Sequence, residues 1–100
     1  MEPKARALFD EIVKIFPEGN VEYRCENELH KYRLERNGPS HWLYVSRTLI
    51  DDHTAPELIA LLSQWQIFEA FRNSPTSRWL FLSEPGIREV DDNFGRGNAL

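Results

Sequence analysis

The sequence has little of what most catalytic or metal-binding chemistry needs. Cys25 is the only cysteine, which excludes an internal disulfide and any zinc site built from several cysteines. No apolar run approaches the length of a membrane-spanning helix. A glycine-rich phosphate loop, a paired-histidine metal helix and a serine nucleophile elbow are all missing. These absences predict a cytoplasmic protein, not bound to a membrane, with no cofactor and no metal. They favour a non-enzyme over an enzyme without deciding the question.

An excess of basic charge is also missing. The formal net charge is -4, with eight Lys and Arg against eight Asp and Glu in residues 1–50, and four against eight in residues 51–100. Basic residues are interleaved with glutamates, whereas binding to a phosphate backbone needs clustered Lys and Arg. The charge pattern therefore argues against nucleic acid and favours a protein partner for a mildly acidic second half.

What is present suffices for one aromatic-rich domain. The chain has 100 residues, of which 41% are hydrophobic and 12% are aromatic, so it is globular in composition and of one-domain length. We expect a single α+β domain over residues 1–90. The last stretch, 91–100, is polar and glycine-bearing and is predicted to be a frayed tail with Phe94 and Leu100 as its apolar residues.

Hydrophobic periodicity predicts the first four elements. Apolar residues recur at helical spacing from Ala5 to Phe16, and Pro17 ends the run. From Val21 the period changes to two, which is typical of strands. The sequence predicts strands over Val21 to Glu26, Leu29 to Arg36 and His41 to about Thr48, with turns at Asn27-Glu28 and at Asn37-Gly38-Pro39-Ser40.

The turn lengths predict a register for these strands. A two-residue turn after Glu26 places Tyr23 opposite Tyr32 and Cys25 opposite His30. A loop of even length before the third strand adds Leu43 and Val45 to the same face. We prefer the even loop, because a three-residue loop would turn Trp42 and Tyr44 to that face and bury less aliphatic surface.

A second helix and one or two strands complete the prediction. Thr54 and Glu57 have capping-box spacing, which predicts a helix running to about Arg72, with Asp51, Asp52 and His53 just before it. A buried strand follows over Arg78 to Ser83, and Ile87 to Val90 is expected as a short edge strand. The predicted class is α+β in the order α-β-β-β-α-β, with a further β. An antiparallel three-stranded meander is followed by a right-handed helical crossover to the fourth strand, which is parallel to the third and lies next to it or next to the first, and both helices lie on one face.

Two polar groups could carry chemistry. Cys25 faces His30 in the expected register, which is the minimum for a thiol nucleophile with a base, although a lone cysteine between apolar residues more often serves as a small buried side chain. Asp51, Asp52 and His53 offer two carboxylates and an imidazole, but carboxylates at a helix start more often serve the helix dipole. We therefore take Cys25, His30, Asp52 and His53 as an alternative polar site.

Aromatic side chains offer a docking surface. Trp42 and Tyr44, with Arg33 and Glu35 beside them, are expected on the sheet face away from the helices, and Trp79 joins them if the fourth strand is adjacent. The alternative is that arginine stems and the C-terminal segment cover these rings. Ala60, Ile67 and Phe71 form a second apolar stripe on the last helix, which either packs inside the chain or forms an interface, including one with a second copy.

The sequence therefore supports two hypotheses. The first is a non-catalytic interaction module, such as an adaptor, regulatory subunit or protein inhibitor, which binds through the aromatic sheet face or the acidic second half. Its predicted partner-binding residues are Trp42, Tyr44, Arg33, Trp79, Ile67 and Phe71. The second is a small enzyme or ligand-binding domain that uses the alternative polar site.

Overall fold

The computed structural model describes residues 1–36, 38–92 and 94, and over these residues the elements follow the predicted order. The sheet has the order β1-β2-β3-β4-β5, with β3 parallel to β4 and every other neighbouring pair antiparallel. The α+β class, the meander and the helical crossover to an adjacent parallel strand are confirmed. No helix of these residues is long and apolar enough to cross a membrane. The elements are α1 (Pro3–Ile15), β1 (Asn20–Glu26), β2 (Leu29–Glu35), β3 (Ser40–Ser46), α2 (Arg47–Asp52), α3 (Ala55–Gln64), α4 (Ile67–Asn73), β4 (Trp79–Ser83) and β5 (Gly86–Val90).

The predicted register of the meander is confirmed. Asn27 and Glu28 both have positive φ, 50° and 63°, which is the two-residue turn that matches the twist of a hairpin. It places Tyr23 opposite Tyr32 in β1 and β2. Four positions separate β2 from β3, so the even loop is confirmed and Tyr32 lies opposite Leu43. Position 37 of that loop lies outside the described residues.

The first helix is capped at its N-terminus by a neighbouring side chain. The Glu2 carboxylate accepts hydrogen bonds from the backbone N–H groups of Lys4 and Ala5, which an α-helix leaves unpaired in its first turn. Pro3 fits this turn because it has no N–H to satisfy. The inner side of α1 buries Ala5, Leu8 and Ile12. A distant strand fixes the helix further, since the Tyr32 hydroxyl donates to the Ala5 carbonyl at 2.9 Å.

The region after β3 differs from the prediction. β3 ends at Ser46 rather than near Thr48, because the Ser46 hydroxyl accepts from the Leu49 N–H at 3.1 Å and starts α2. Asp51 and Asp52 are therefore the last residues of a helix and do not precede the next one directly. The expectation that they complement a helix dipole is wrong, since the C-terminal end of a helix carries partial negative charge.

The predicted helix from Thr54 to Arg72 is two helices. The capping box at Thr54 is present, but α3 ends at Gln64 and Gln66 adopts the left-handed conformation with φ of 55°. The break explains the two apolar stripes, because a bent path brings residues from both stripes to the core. The buried residues of α3 and α4 are Leu58, Leu62, Ile67, Phe68 and Phe71.

All four helices contribute to one core against one face of the sheet. The strands supply its other half with Tyr32, Leu34, Leu43, Val45, Leu80 and Leu82. His41 shares this face and is fully buried, with its ring stacked on Phe71 at a centroid distance of 4.9 Å. The opposite face carries no helix among the described residues. The predicted boundary between a domain over 1–90 and a tail over 91–100 stays a prediction, and residues 93 and 95–100, with Leu100, lie outside the described residues.

Candidate functional site

The helix-free face of the sheet carries a connected group of rings. The parallel register of β3 and β4 sets Trp42 beside Trp79 and Tyr44 beside Phe81, all on this side. The rings of Trp42 and Tyr44 meet edge to face, with centroids 6.1 Å apart. Phe94 completes the group. We call Trp42, Tyr44, Trp79, Phe81 and Phe94 the aromatic face.

Phe94 covers part of this surface. Its ring stacks on Tyr44 at 6.0 Å and tilts against Phe81 at 4.7 Å. Tyr44 is only 4% exposed as a result of this and other contacts. It was predicted as a partner-binding residue, but in the structure its ring supports the face from below. Trp42 and Trp79 stay half-buried. Of the described part of the C-terminal segment, Phe94 covers Tyr44, and the two indoles are the largest rings that stay half-buried, together with Phe81 and Phe94.

Two cations of the face, Arg33 and Lys31, are already matched by carboxylates, whereas Arg88 lies over the Phe81 and Phe94 rings. The Arg33 guanidinium lies 5.9 Å from the Trp42 ring centroid and forms ion pairs with Glu22 at 3.1 Å and with Glu35 at 3.3 Å. The two carboxylates therefore hold the charged Arg33 guanidinium in place over the Trp42 indole. A phosphate group would have to compete with both carboxylates for it.

Lys31 is held in the same way. It is buried beside Tyr44, with its ammonium 5.4 Å from the ring centroid, and it forms a 2.8 Å ion pair with Glu26. Arg24 lies within 3.6 Å of the same carboxylate and is largely exposed. The face therefore combines aromatic area with a nearly balanced set of charges.

A depression of about 440 Å³ lies between these groups. Aromatic rings and the charged residues Arg24, Lys31, Glu26 and Asp92 both line it, so it can seat a side chain that has an apolar part and polar groups. Its lining comprises Arg24, Glu26, Asn27, Lys31, Trp42, Tyr44, Trp79, Asp92 and Phe94.

Two members of this surface escaped the sequence reasoning. Lys31 has the same strand parity as Arg33, so its place on this face could have been predicted from the period of two. Phe94 lies beyond the last strand and no local signal placed it on the sheet. Among the predicted partner-binding residues, Ile67 and Phe71 are at most 3% exposed and are not available to a partner in the folded chain. Ala60, the third member of their stripe, is exposed.

The structure brings Cys25 and His30 together but does not arrange them as a catalytic pair. They share a depression of about 270 Å³ with Glu2, Arg47 and Asp51. His30 is bonded elsewhere, since the Tyr23 hydroxyl lies 2.7 Å from its Nδ1. Burial lowers the pKa of His30. Burial is also the main cause that raises the pKa of Tyr23 to about 12, and the charge of Cys25 raises it further. Neutral tyrosine and neutral imidazole thus form a hydrogen bond.

Cys25 itself is exposed, which contradicts the expectation of a small buried side chain. It belongs to the end of an edge strand that lies beyond the first turn of α1, where no helix of the described chain covers it. Asp52 and His53 do not join it. The His53 Nδ1 donates to the Leu49 carbonyl at 3.0 Å and lies 3.6 Å from the Glu84 carboxylate, next to the turn between β4 and β5.

The described residues hold no group of three or more His, Cys, Asp or Glu side chains that could bind a metal ion. No protein-family model matches the sequence, and no curated protein or solved structure is significantly similar to it. Function is therefore inferred from geometry alone.

Proposed function

We propose that this protein is a non-catalytic interaction module that docks another protein on its aromatic face. The observation that carries the proposal is the pair of half-buried indoles, Trp42 and Trp79, held side by side by the parallel register of β3 and β4. Trp, Tyr and Arg dominate the energetics of protein interfaces, and this face combines all three in one place. Adaptor, regulatory subunit and inhibitor are the roles consistent with such a surface.

The charges of the face favour a protein over a nucleic acid. Arg33 is paired with two glutamates and Lys31 with one, so their charges are neutralised before a ligand arrives. Nucleic-acid affinity depends on unmatched cations that replace condensed counterions, and this surface offers few. A protein partner instead gains from burying indole area and from the polar rim.

The acidic second half supports the proposal less well. Its carboxylates are spread over α2, α3, α4, β5 and the turn between β4 and β5. At least three of them already face cationic or titratable partners, since Glu89 pairs with Arg78 at 3.1 Å, Asp51 lies 3.6 Å from Arg47 and Glu84 lies near His53. The cytoplasmic location predicted from the single cysteine stays a prediction.

The small enzyme or ligand-binding domain is the second candidate. The observation in its favour is the depression shared by Cys25 and His30. The hydrogen bond between Tyr23 and His30 weighs against it, because Nδ1 of the imidazole is already bonded to the Tyr23 hydroxyl and does not serve as a base for Cys25.

The test is a crosslinking pull-down from native lysate with Trp42→Ala plus Trp79→Ala. Ile87→Ala is the matched control, because Ile87 is an exposed apolar residue of β5 whose side chain lies on the opposite side of the sheet. We expect a partner that is captured by wild type and by the control and is lost from the double variant. With that partner purified, each indole should contribute about 2 kcal/mol, which is roughly 30-fold in Kd. Identical capture by all three proteins would contradict the proposal.

A further inference from the structure

The outer edge of β1 is a second surface, independent of the aromatic face. Within the described chain β1 is paired on one side only, with β2, and it is an edge of the sheet. It is seven residues long, and most of its side chains are exposed. An open strand of this length is a template for pairing with another strand.

The hairpin geometry decides which backbone groups face this edge. In a two-residue hairpin the residues that flank the turn, Glu26 and Leu29, form a hydrogen-bonded pair. Alternation then directs the N–H and C=O groups of Val21, Tyr23 and Cys25 away from β2, to the open side. The edge therefore presents three residues whose backbone groups are oriented to accept a further antiparallel strand.

The side chains of β1 are complementary to a second copy of themselves. In an antiparallel pair centred on Tyr23, all seven residues of the strand overlap, and the outward-directed residues of the two copies face each other. On the helix-free side this register sets Glu22 of each copy opposite Arg24 of the other. Directly opposite charges stabilise a strand pair, and these fall at the non-hydrogen-bonded positions, where side chains are closest.

The neighbouring registers are not complementary. Centring the pair on Glu22 places the two Glu22 carboxylates against each other. Centring it on Arg24 opposes the two guanidinium groups and also sets Glu22 against Glu26. Maximum overlap and charge matching thus coincide in one arrangement. Arg24 can adopt it, because its present ion pair with Glu26 is long, at 3.6 Å, and the Arg24 side chain is 72% exposed. Glu22 already pairs with Arg33 at 3.1 Å through Oε1, so in this register one carboxylate serves both Arg33 and Arg24 of the second copy.

The flank of α1 next to this edge carries two apolar side chains, Phe9 and Val13, with the Arg6 guanidinium lying over the Phe9 ring. Lys4 points to α2, where its ammonium donates to the Ile50 and Asp51 carbonyls. Phe9 and Val13 lie about 140° and about 180° around the helix axis from Lys4, on the side of the open edge. Val13 is 41% exposed, one of the few large apolar side chains of the described residues to be so.

We propose that two copies of this chain associate through β1, antiparallel and centred on Tyr23, so that their sheets join into one continuous ten-stranded sheet. The interface is isologous, with the same strand contributed by each copy, as in most closed dimers. It leaves both aromatic faces open. Seven strand residues from each copy form a small interface, so the dimer is expected to be reversible and to dissociate on dilution.

A charge exchange tests the register. Glu22→Arg alone and Arg24→Glu alone each create two like-charge contacts, and should weaken the dimer at least about tenfold in sedimentation equilibrium. The double variant Glu22→Arg plus Arg24→Glu restores two opposite-charge contacts and should dimerise like wild type. An equal mixture of the two single variants should form a heterodimer. Circular dichroism checks that each variant folds. If a charge variant does not fold, the disulfide test described next decides the register.

A disulfide reads out the same register without altering charge. Val21 of one copy lies opposite Cys25 of the other, with about 5.5 Å between Cα atoms, which is within disulfide range. Within one chain the two positions are about 13 Å apart along the strand, so a bond between them must join two copies. Val21→Cys should give a dimer on non-reducing electrophoresis, whereas Asn20→Cys, on the opposite side of the sheet, should not. Wild-type chain that stays monomeric up to roughly 500 μM, or a dimer indifferent to both tests, would overturn the proposal.

Discussion

His41 should make this protein lose stability in mild acid. The residue is fully buried on β3, and neither ring nitrogen has a hydrogen-bond partner within the described residues. One side of its ring stacks on Phe71, at an interplanar angle of 10°. Burial lowers the pKa of His41, and the charges of Arg36 and Arg78 lower it further. The folded chain therefore holds this imidazole neutral.

The sign and size of the effect follow from proton linkage. The unfolded chain takes up a proton at His41 near its ordinary pKa of about 6.5, whereas the folded chain does so only at lower pH. The stability is thus full above about pH 6.5 and falls as the pH drops below it. The contribution of His41 to the free energy of unfolding therefore falls between about pH 7.5 and about pH 5.5, by at most about 1.4 kcal/mol, a limit set by proton uptake in the unfolded chain.

The assay compares urea unfolding of wild type and His41→Phe at both pH values. Phenylalanine keeps the stack on Phe71 and removes both unpartnered nitrogens, which gains about 1–3 kcal/mol against a similar cost of overpacking. The net change at neutral pH is therefore small. The deciding quantity is the difference in free energy of unfolding between the two proteins, which should move in favour of the variant on acidification, by up to about 1.4 kcal/mol.

In this double difference the contributions of the other titrating groups cancel. They include His30, whose pKa is also lowered by burial. Leu80→Val is the matched control, since it shortens a buried apolar side chain and should cost the same at both pH values. A difference between wild type and His41→Phe that does not change with pH would refute the reasoning.

Two further predictions concern the hairpin turn at Glu28 and the helix cap at Thr54. Glu28 has φ of 63° in the hairpin turn, so Glu28→Gly should raise the free energy of unfolding by about 0.5–1 kcal/mol, whereas Glu28→Ala, which loses the same exposed ion pair with Arg47, should not. Thermal melts of the two variants measure this, and equal melting temperatures would contradict it. Thr54→Ala removes the hydroxyl that accepts from the Glu57 N–H and should cost about 1 kcal/mol, while Thr54→Ser should be nearly neutral. Urea unfolding of the pair gives the answer, and a Ser variant as unstable as the Ala variant would show that the cap is not the cause.

The strand pairing was predictable because its signals are local. Alternation in β1 and β2 identifies the two faces, and the two-residue turn at Asn27 fixes the register within a few residues of the pattern. The capping box at Thr54 is equally local, since its two hydrogen bonds join residues three positions apart. Alternation and the right-handed crossover rule left two positions for the fourth strand, and the structure sets it beside β3, which brings Trp79 next to Trp42.

The errors of prediction arose where distant elements decide the outcome. Nothing in the residues around Gln66 marks the end of a helix, and its left-handed conformation is stable only because α3 and α4 both bury their apolar sides in the core. Cys25 sits in an apolar alternation, yet it is exposed, because α1 begins too late to cover it.

The sequence by itself determined the order of helical and strand regions, the register of the meander and the face on which each residue of its three strands lies. These depend on periodicity, turn residues and caps, whose interactions span a few positions. Only the tertiary structure decided that His41 is buried without a partner, that Phe94 covers Tyr44 while leaving Trp42 and Trp79 half-buried, and that β1 has an open edge. Each of these depends on which surfaces from distant parts of the chain meet, and burial is a property of that meeting rather than of any one segment.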